Sequence, residues 1–111
     1  MTQWTRIAAT DECPEGQGIE VVTAGRVIGL YQVEGEYYAI DGVCPHQGGP
    51  LGKGALTGCV VTCPWHGWQF DVRNGQHAIN GNLCQPQFTL RIDGNQILVA
   101  VDDDDKEIHV D

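Results

Sequence analysis

Two short segments restrict this chain more than any other feature: CPHQGG at 44–49 and CPWHGW at 63–68. The pattern is Cys44-x-His46, a gap of sixteen residues, then Cys63-x-x-His66. Any fold must deliver these two small forks to one place if their side chains share a ligand. Structural zinc sites built from two cysteines and two histidines usually pair like with like along the chain. Here each fork is mixed. That suits a cofactor with two metal centres, one taking both thiolates and the other both imidazoles.

The surrounding sequence reads as all-β. Turn signals recur about every dozen residues: Ala24-Gly25, Glu34-Gly35, Asn74-Gly75 and Asp93-Gly94-Asn95 separate the runs IEVVTA, RVIGLYQV, EYYAI, WQFDVR, FTLRI and QILVAV. Such residues between β-branched or aromatic runs mark hairpins, because they tolerate positive φ. No window sustains the i, i+3, i+4 apolar period of a helix, and only a short helical turn is expected near Thr10–Glu12. Glycines, cysteines and histidines concentrate from 42 to 85. The expectation is one domain over 1–111, a β-sandwich framework (about 3–41 and 87–101) with an inserted, loop-rich ligand-binding subdomain. The acidic tail, 102–111, reads as a solvated end.

Charge and cysteine usage narrow the function. A formal charge of −9 argues against nucleic acid and suits solubility or a basic protein partner. No apolar run reaches the roughly 18 residues of a membrane helix, and the first residues do not resemble a secretory signal. The five cysteines, 13, 44, 59, 63 and 84, are odd in number and fit a disulfide framework poorly. Together these features predict a cytoplasmic protein.

The double fork resembles the Rieske [2Fe-2S] family in all four ligand positions, in the gap between them and in the flanking glycines and prolines. The resemblance extends over most of the chain and implies one [2Fe-2S] cluster held by Cys44, His46, Cys63 and His66. Two thiolates neutralise the +2 oxidised core, and neutral imidazoles raise the potential, to about −150 to +300 mV against about −400 mV for four-cysteine ferredoxins. The outer N–H groups of the histidines can titrate. Gly48, Gly49, Trp65, Gly67, Trp68 and Pro86 are the candidates for a surrounding shell, the glycines through close approach of backbone N–H groups to the cluster sulfurs. Pro45 and Pro64 stiffen the chain after each cysteine. High-potential members resemble C-T-H-L-G-C and C-P-C-H-G-S-x-Y, with a disulfide between the loops. Gly49 and Trp65 stand at the disulfide positions here, and Trp68 and Phe70 replace the hydroxyl donors. Both departures imply the low-potential end of the range.

The family implies a soluble one-electron carrier of the ferredoxin kind rather than an enzyme. Its partners would be a flavin-containing NAD(P)H reductase and a terminal ring-hydroxylating oxygenase. The oxygenase itself is excluded for this chain, since only His77 and His109 remain for a mononuclear iron. A small subunit of a nitrite-reductase-like enzyme and a zinc-bound interaction module are the alternatives. Among the remaining residues, Cys59 reads as a small core residue about 13 Å from Cys63 along a strand. Cys13 and Cys84 read as unligated thiols, with Cys84 and Pro86 in a possible third loop near the cluster. His77 and His109 read as surface histidines, and Lys53 as a solvated lysine.

Overall fold

The computed structural model describes residues 2–23, 25–45, 48–65, 67–80 and 82–102. Ten strands are present among them: β1 Thr2–Ala9, β2 Gly18–Thr23, β3 Arg26–Val33, β4 Glu36–Asp41, β5 Ala55–Thr57, β6 Val60–Thr62, β7 Gln69–Asp71, β8 Gln87–Phe88, β9 Leu90–Asp93 and β10 Gln96–Asp102. All the strand pairings are antiparallel. They form three sheets, in the orders β1-β10-β9, β2-β3-β4-β8 and β5-β6-β7. The expected helical turn is a single 3-10 turn at Thr10–Glu12, where the Glu12 carboxylate accepts the Ala9 N–H at 2.7 Å.

The middle sheet carries apolar side chains on both faces. Alternation along β3 sends Ile28 and Leu30 into a core with Ala8, Cys13, Ala39, Ile97 and Val99. It sends Tyr31 and Val33 the other way, into a core with Ile40, Leu51, Val61, Phe70, Val72 and both fork cysteines, Cys44 and Cys63. β4 divides in the same manner between Ala39 and Ile40. This explains why RVIGLYQV reads as an apolar run: its centre is buried on both sides. Gly18 and Gly29 make room for the Tyr31 ring, which a Cβ at either position would strike.

Three local departures from the sequence expectation have visible causes. The run WQFDVR forms only β7, Gln69–Asp71. The Asp71 side chain accepts the Arg73 N–H at 2.9 Å and its carbonyl accepts the Gly75 N–H at 2.7 Å, turning the chain before Asn74-Gly75. FTLRI divides at Thr89, because β8 pairs with β4 in the middle sheet and β9 with β10 in the terminal one. In GCVVTC the strand begins at Val60, and Cys59 lies in the turn after Gly58, whose φ is 61°.

The Glu34-Gly35 turn has positive φ at both residues, and the two carboxylate oxygens of Glu15 accept their N–H groups at 2.7 Å each. No helix among the described residues is long and apolar enough to cross a membrane.

Candidate metal centre

The two forks close by the same backbone scheme. In the first, the Cys44 carbonyl accepts the Gly48 N–H at 2.8 Å, and the Cys44 N–H donates to the Gly49 carbonyl at 2.9 Å. In the second, the Cys63 carbonyl accepts the Gly67 N–H at 3.2 Å, and the Cys63 N–H donates to the Trp68 carbonyl at 2.7 Å. Gly48 and Gly67, four residues after each cysteine, have φ of 78° and 77°, the left-handed conformation that glycine adopts without strain. These two glycine N–H groups are thereby committed to backbone carbonyls. The expectation that they donate to cluster sulfurs is corrected. Near the second cysteine, the Trp65 backbone N–H favours charge on the Cys63 sulfur.

Both cysteines are almost fully buried, and their thiols are within hydrogen-bonding reach of each other. Burial pushes the Cys63 thiol up, the Trp65 N–H opposes this, and the facing Cys44 thiol adds to the rise. A pair of thiolates here calls for a positive charge between them. That is the chemistry of a metal centre, whose binding releases the protons. The space is kept by Gly49, where a Cβ would stand 2.5 Å from the Cys63 sulfur and 3.1 Å from the Trp65 Cβ. Positions 49 and 65 therefore face each other between the forks, with no sulfur at either to join them. His46 and His66, the other expected ligands, lie outside the described residues.

The candidate shell residues divide by location. Trp65 is half exposed, and Trp68 is partly covered, packed against the core that contains both cysteines. Pro86 is exposed at the foot of the first fork, where its carbonyl accepts the Asp41 N–H at 2.8 Å. Its neighbour Gln85, unremarked in the sequence, is the residue that reaches inward. Gln85 is 6% exposed, and its side-chain amide donates to the Asp41 carbonyl at 3.0 Å and the Val43 carbonyl at 2.7 Å, directly before Cys44. His77, expected on the surface, is half-buried. Its ring meets Trp68 and Phe70 edge-on at 5.0 and 5.2 Å, and its Nδ1 accepts the N–H groups of Ile79 and Asn80 at 3.1 and 3.0 Å.

The remaining cysteines stand apart. Cys13 is buried in the framework core, where its thiol donates to the Leu30 carbonyl at 3.6 Å, and burial pushes it up to about 11. Cys59 is half-buried beside the fork core, and its thiol donates to the Asp71 carboxylate at 3.7 Å. The Arg73 guanidinium holds that carboxyl below its ordinary value. Cys84 is exposed, at a bridge to Gln76. Lys53 lies 4.0 Å from Glu20, and the lysine is well exposed. His109 is outside the described residues.

Gly49→Ala tests the cradle. Its methyl group must displace the Cys63 sulfur or Trp65, and metal occupancy at limiting iron should fall by about 10–100-fold while the β-sheet circular dichroism is retained. Unchanged occupancy would show that the forks have slack that the geometry denies.

The family model for the Rieske [2Fe-2S] domain matches residues 3–90. A ferredoxin component of the naphthalene 1,2-dioxygenase/salicylate 5-hydroxylase systems from Ralstonia is 41% identical over 87 residues, covering 78% of this chain and 79% of that protein. The ferredoxin component of an alkene monooxygenase system from Xanthobacter autotrophicus is 34% identical over 107 residues, covering 95% and 87%. Among solved structures, a complex of reduced oxygenase and oxidized ferredoxin in carbazole 1,9a-dioxygenase contains a chain with a TM-score of 0.80 and 27% identity, covering 87% of this chain and 92% of that one. With the two cysteine forks in place and the family matched over most of its length, this chain belongs to the Rieske [2Fe-2S] domain family, whose cofactor is a single [2Fe-2S] cluster.

Proposed function

We propose that this protein is the ferredoxin component of an oxygenase system, a one-electron carrier between a flavin-containing NAD(P)H reductase and a terminal ring-hydroxylating oxygenase. In this reading residues 1–111 act as one unit. Cys44 and Cys63 would hold one iron of the cluster, and His46 and His66 the other. The single observation that carries it is the pair of buried thiols facing each other in twin loops. A cluster bound there would supply one-electron redox chemistry.

The chain's own residues supply the rest. The apolar core behind the cysteines keeps water from the sulfurs, and the identical backbone closures hold both forks through a change of charge. Half-exposed Trp65, beside the Cys63 sulfur, offers contact area on the face where a partner docks. Acidic surface steers basic partners, with association that slows as salt rises. In this reading the exchange takes place in the cytoplasm, where a reductant of the NAD(P)H class is available. The relatives' roles as ferredoxin components favour this reading over the nitrite-reductase small subunit and the zinc module.

Iron and acid-labile sulfide content tests the assignment. The purified protein should hold about two of each per chain, and Cys44→Ser and His66→Ala should each lose them. Normal content in either variant would refute the ligand set, and stoichiometric zinc in the wild type would move the interaction module ahead.

The potential follows from the same residues. Phe70 is fully buried and Trp68 partly so, and neither has a hydroxyl to give a cluster sulfur. The midpoint potential should therefore lie near the lower end of the span of about −150 to +300 mV. A redox titration giving a value of several hundred millivolts positive would contradict this.

A further inference from the structure

We propose that Gln85 and His77 are positioning residues that clamp the two forks at a fixed separation, an inference that rests on the ligand set just proposed. They lie on one segment, residues 76–86, whose ends reach opposite forks. At one end the buried Gln85 amide spans to the carbonyls of Asp41 and Val43, 44 and 42 residues away, on the stretch that runs straight into Cys44. The backbone beside it is tied down as well. The Gln85 N–H donates to the Gly75 carbonyl at 2.7 Å, and Gly75 packs so closely on the Gln85 carbonyl that a Cβ would collide with it.

At the other end His77 stands against Trp68, whose carbonyl closes the Cys63 fork. The Ala78 N–H donates to the Gln69 carbonyl at 2.9 Å and the Asp71 N–H to the Gln76 carbonyl at 2.9 Å, so the segment is laced to the strand leaving that fork. His77 Nδ1 stiffens the turn that follows by accepting from Ile79 and Asn80. Gln85 thus ties the backbone that enters the first fork from outside it, where the Asp41 carboxylate also accepts the Val43 N–H at 2.9 Å, and so bears on where Cys44 sits relative to the second.

A clamp differs from ordinary structural support in what its loss does to the cluster. The framework supplies a matched control: the Gln32 amide also donates twice, to the Cys13 carbonyl at 2.8 Å and the Tyr37 hydroxyl at 2.6 Å, in a part of the sheet away from the forks. Gln85→Met should speed release of iron from the reduced protein to a chelator by about 10–100-fold and shift the EPR g values. Gln32→Met, at a comparable loss of melting temperature, should leave both unchanged. His77→Phe keeps a ring against Trp68 but loses the acceptor, whereas His77→Asn keeps an acceptor without the ring. Release should quicken more for His77→Asn, since the ring is what touches the fork.

Amide hydrogen exchange on the metal-free protein provides a second readout that does not depend on the cluster. The N–H groups of Cys44 and Gly48 should exchange about tenfold faster in Gln85→Met, and those of Cys63 and Gly67 in His77→Asn. If Gln85→Met does not fold, Gln85→Glu, of the same shape but without the amide donor, takes its place. Iron release no faster than in Gln32→Met, or fork amides exchanging as in the wild type, would overturn the clamp. A wild type that binds no cluster, with fork amides responding as expected, would instead overturn the ligand set and leave the clamp standing.

Discussion

Two cysteine sulfurs buried in one apolar core set the terms for the rest of this structure. Burial makes the Cys63 thiol resist ionisation, and the neighbouring Cys44 thiol adds to that cost. The arrangement is useful only if the loops cannot drift apart to relieve that cost before a positive centre arrives. Identical closures, an i+4 glycine donating back to each cysteine carbonyl and an i+5 carbonyl accepting each cysteine N–H, make each fork a rigid unit. What then needs fixing is the distance between the two units.

The middle sheet provides the base for that distance. Because β3 and β4 are apolar on both faces, the same strands pack the framework on one side and the fork core on the other. The core behind the cysteines thus backs onto the middle sheet, while the second fork is the loop that joins β6 to β7 in the small sheet. Leu51 and Gly52, fully enclosed between the forks in sequence, sit against β2, so the first fork is anchored to the sheet at its exit as well as its entrance. A cofactor that gains and loses charge benefits from such a mount, since little needs to rearrange when an electron arrives.

Much of this was legible in the sequence, for physical reasons that also define the limit. The turns at Gly25, Glu34-Gly35 and Gly94 could be read because positive φ is a local demand that few residues meet. The forks were legible because cysteine and histidine at close spacing have few structural uses. The division of FTLRI between two sheets was hidden, since it is decided by partners in β4 and β10 rather than by the segment itself. Gln85 was hidden for the same reason: a glutamine in a loop looks solvated until the carbonyls 42 and 44 residues away are brought to it. Pro86 carried the visible signal, but its contribution is one backbone carbonyl, and its buried neighbour does the tethering. His77 looked like a surface residue because nothing in its own neighbourhood shows that Trp68 and Phe70 will lie beneath its ring.

Cluster and carrier stand or fall together on how the metal is held. Mixed ligation, with thiolates on one iron and imidazoles on the other, leaves a spectroscopic mark that neither zinc nor a four-cysteine cluster reproduces. The most direct test is a low-temperature EPR spectrum of the anaerobically purified, dithionite-reduced protein. A rhombic signal with the lowered average g of a histidine-ligated [2Fe-2S] centre is the predicted result. A spectrum with the higher average g of all-cysteine ligation, or no signal from a protein that contains zinc, would contradict the account.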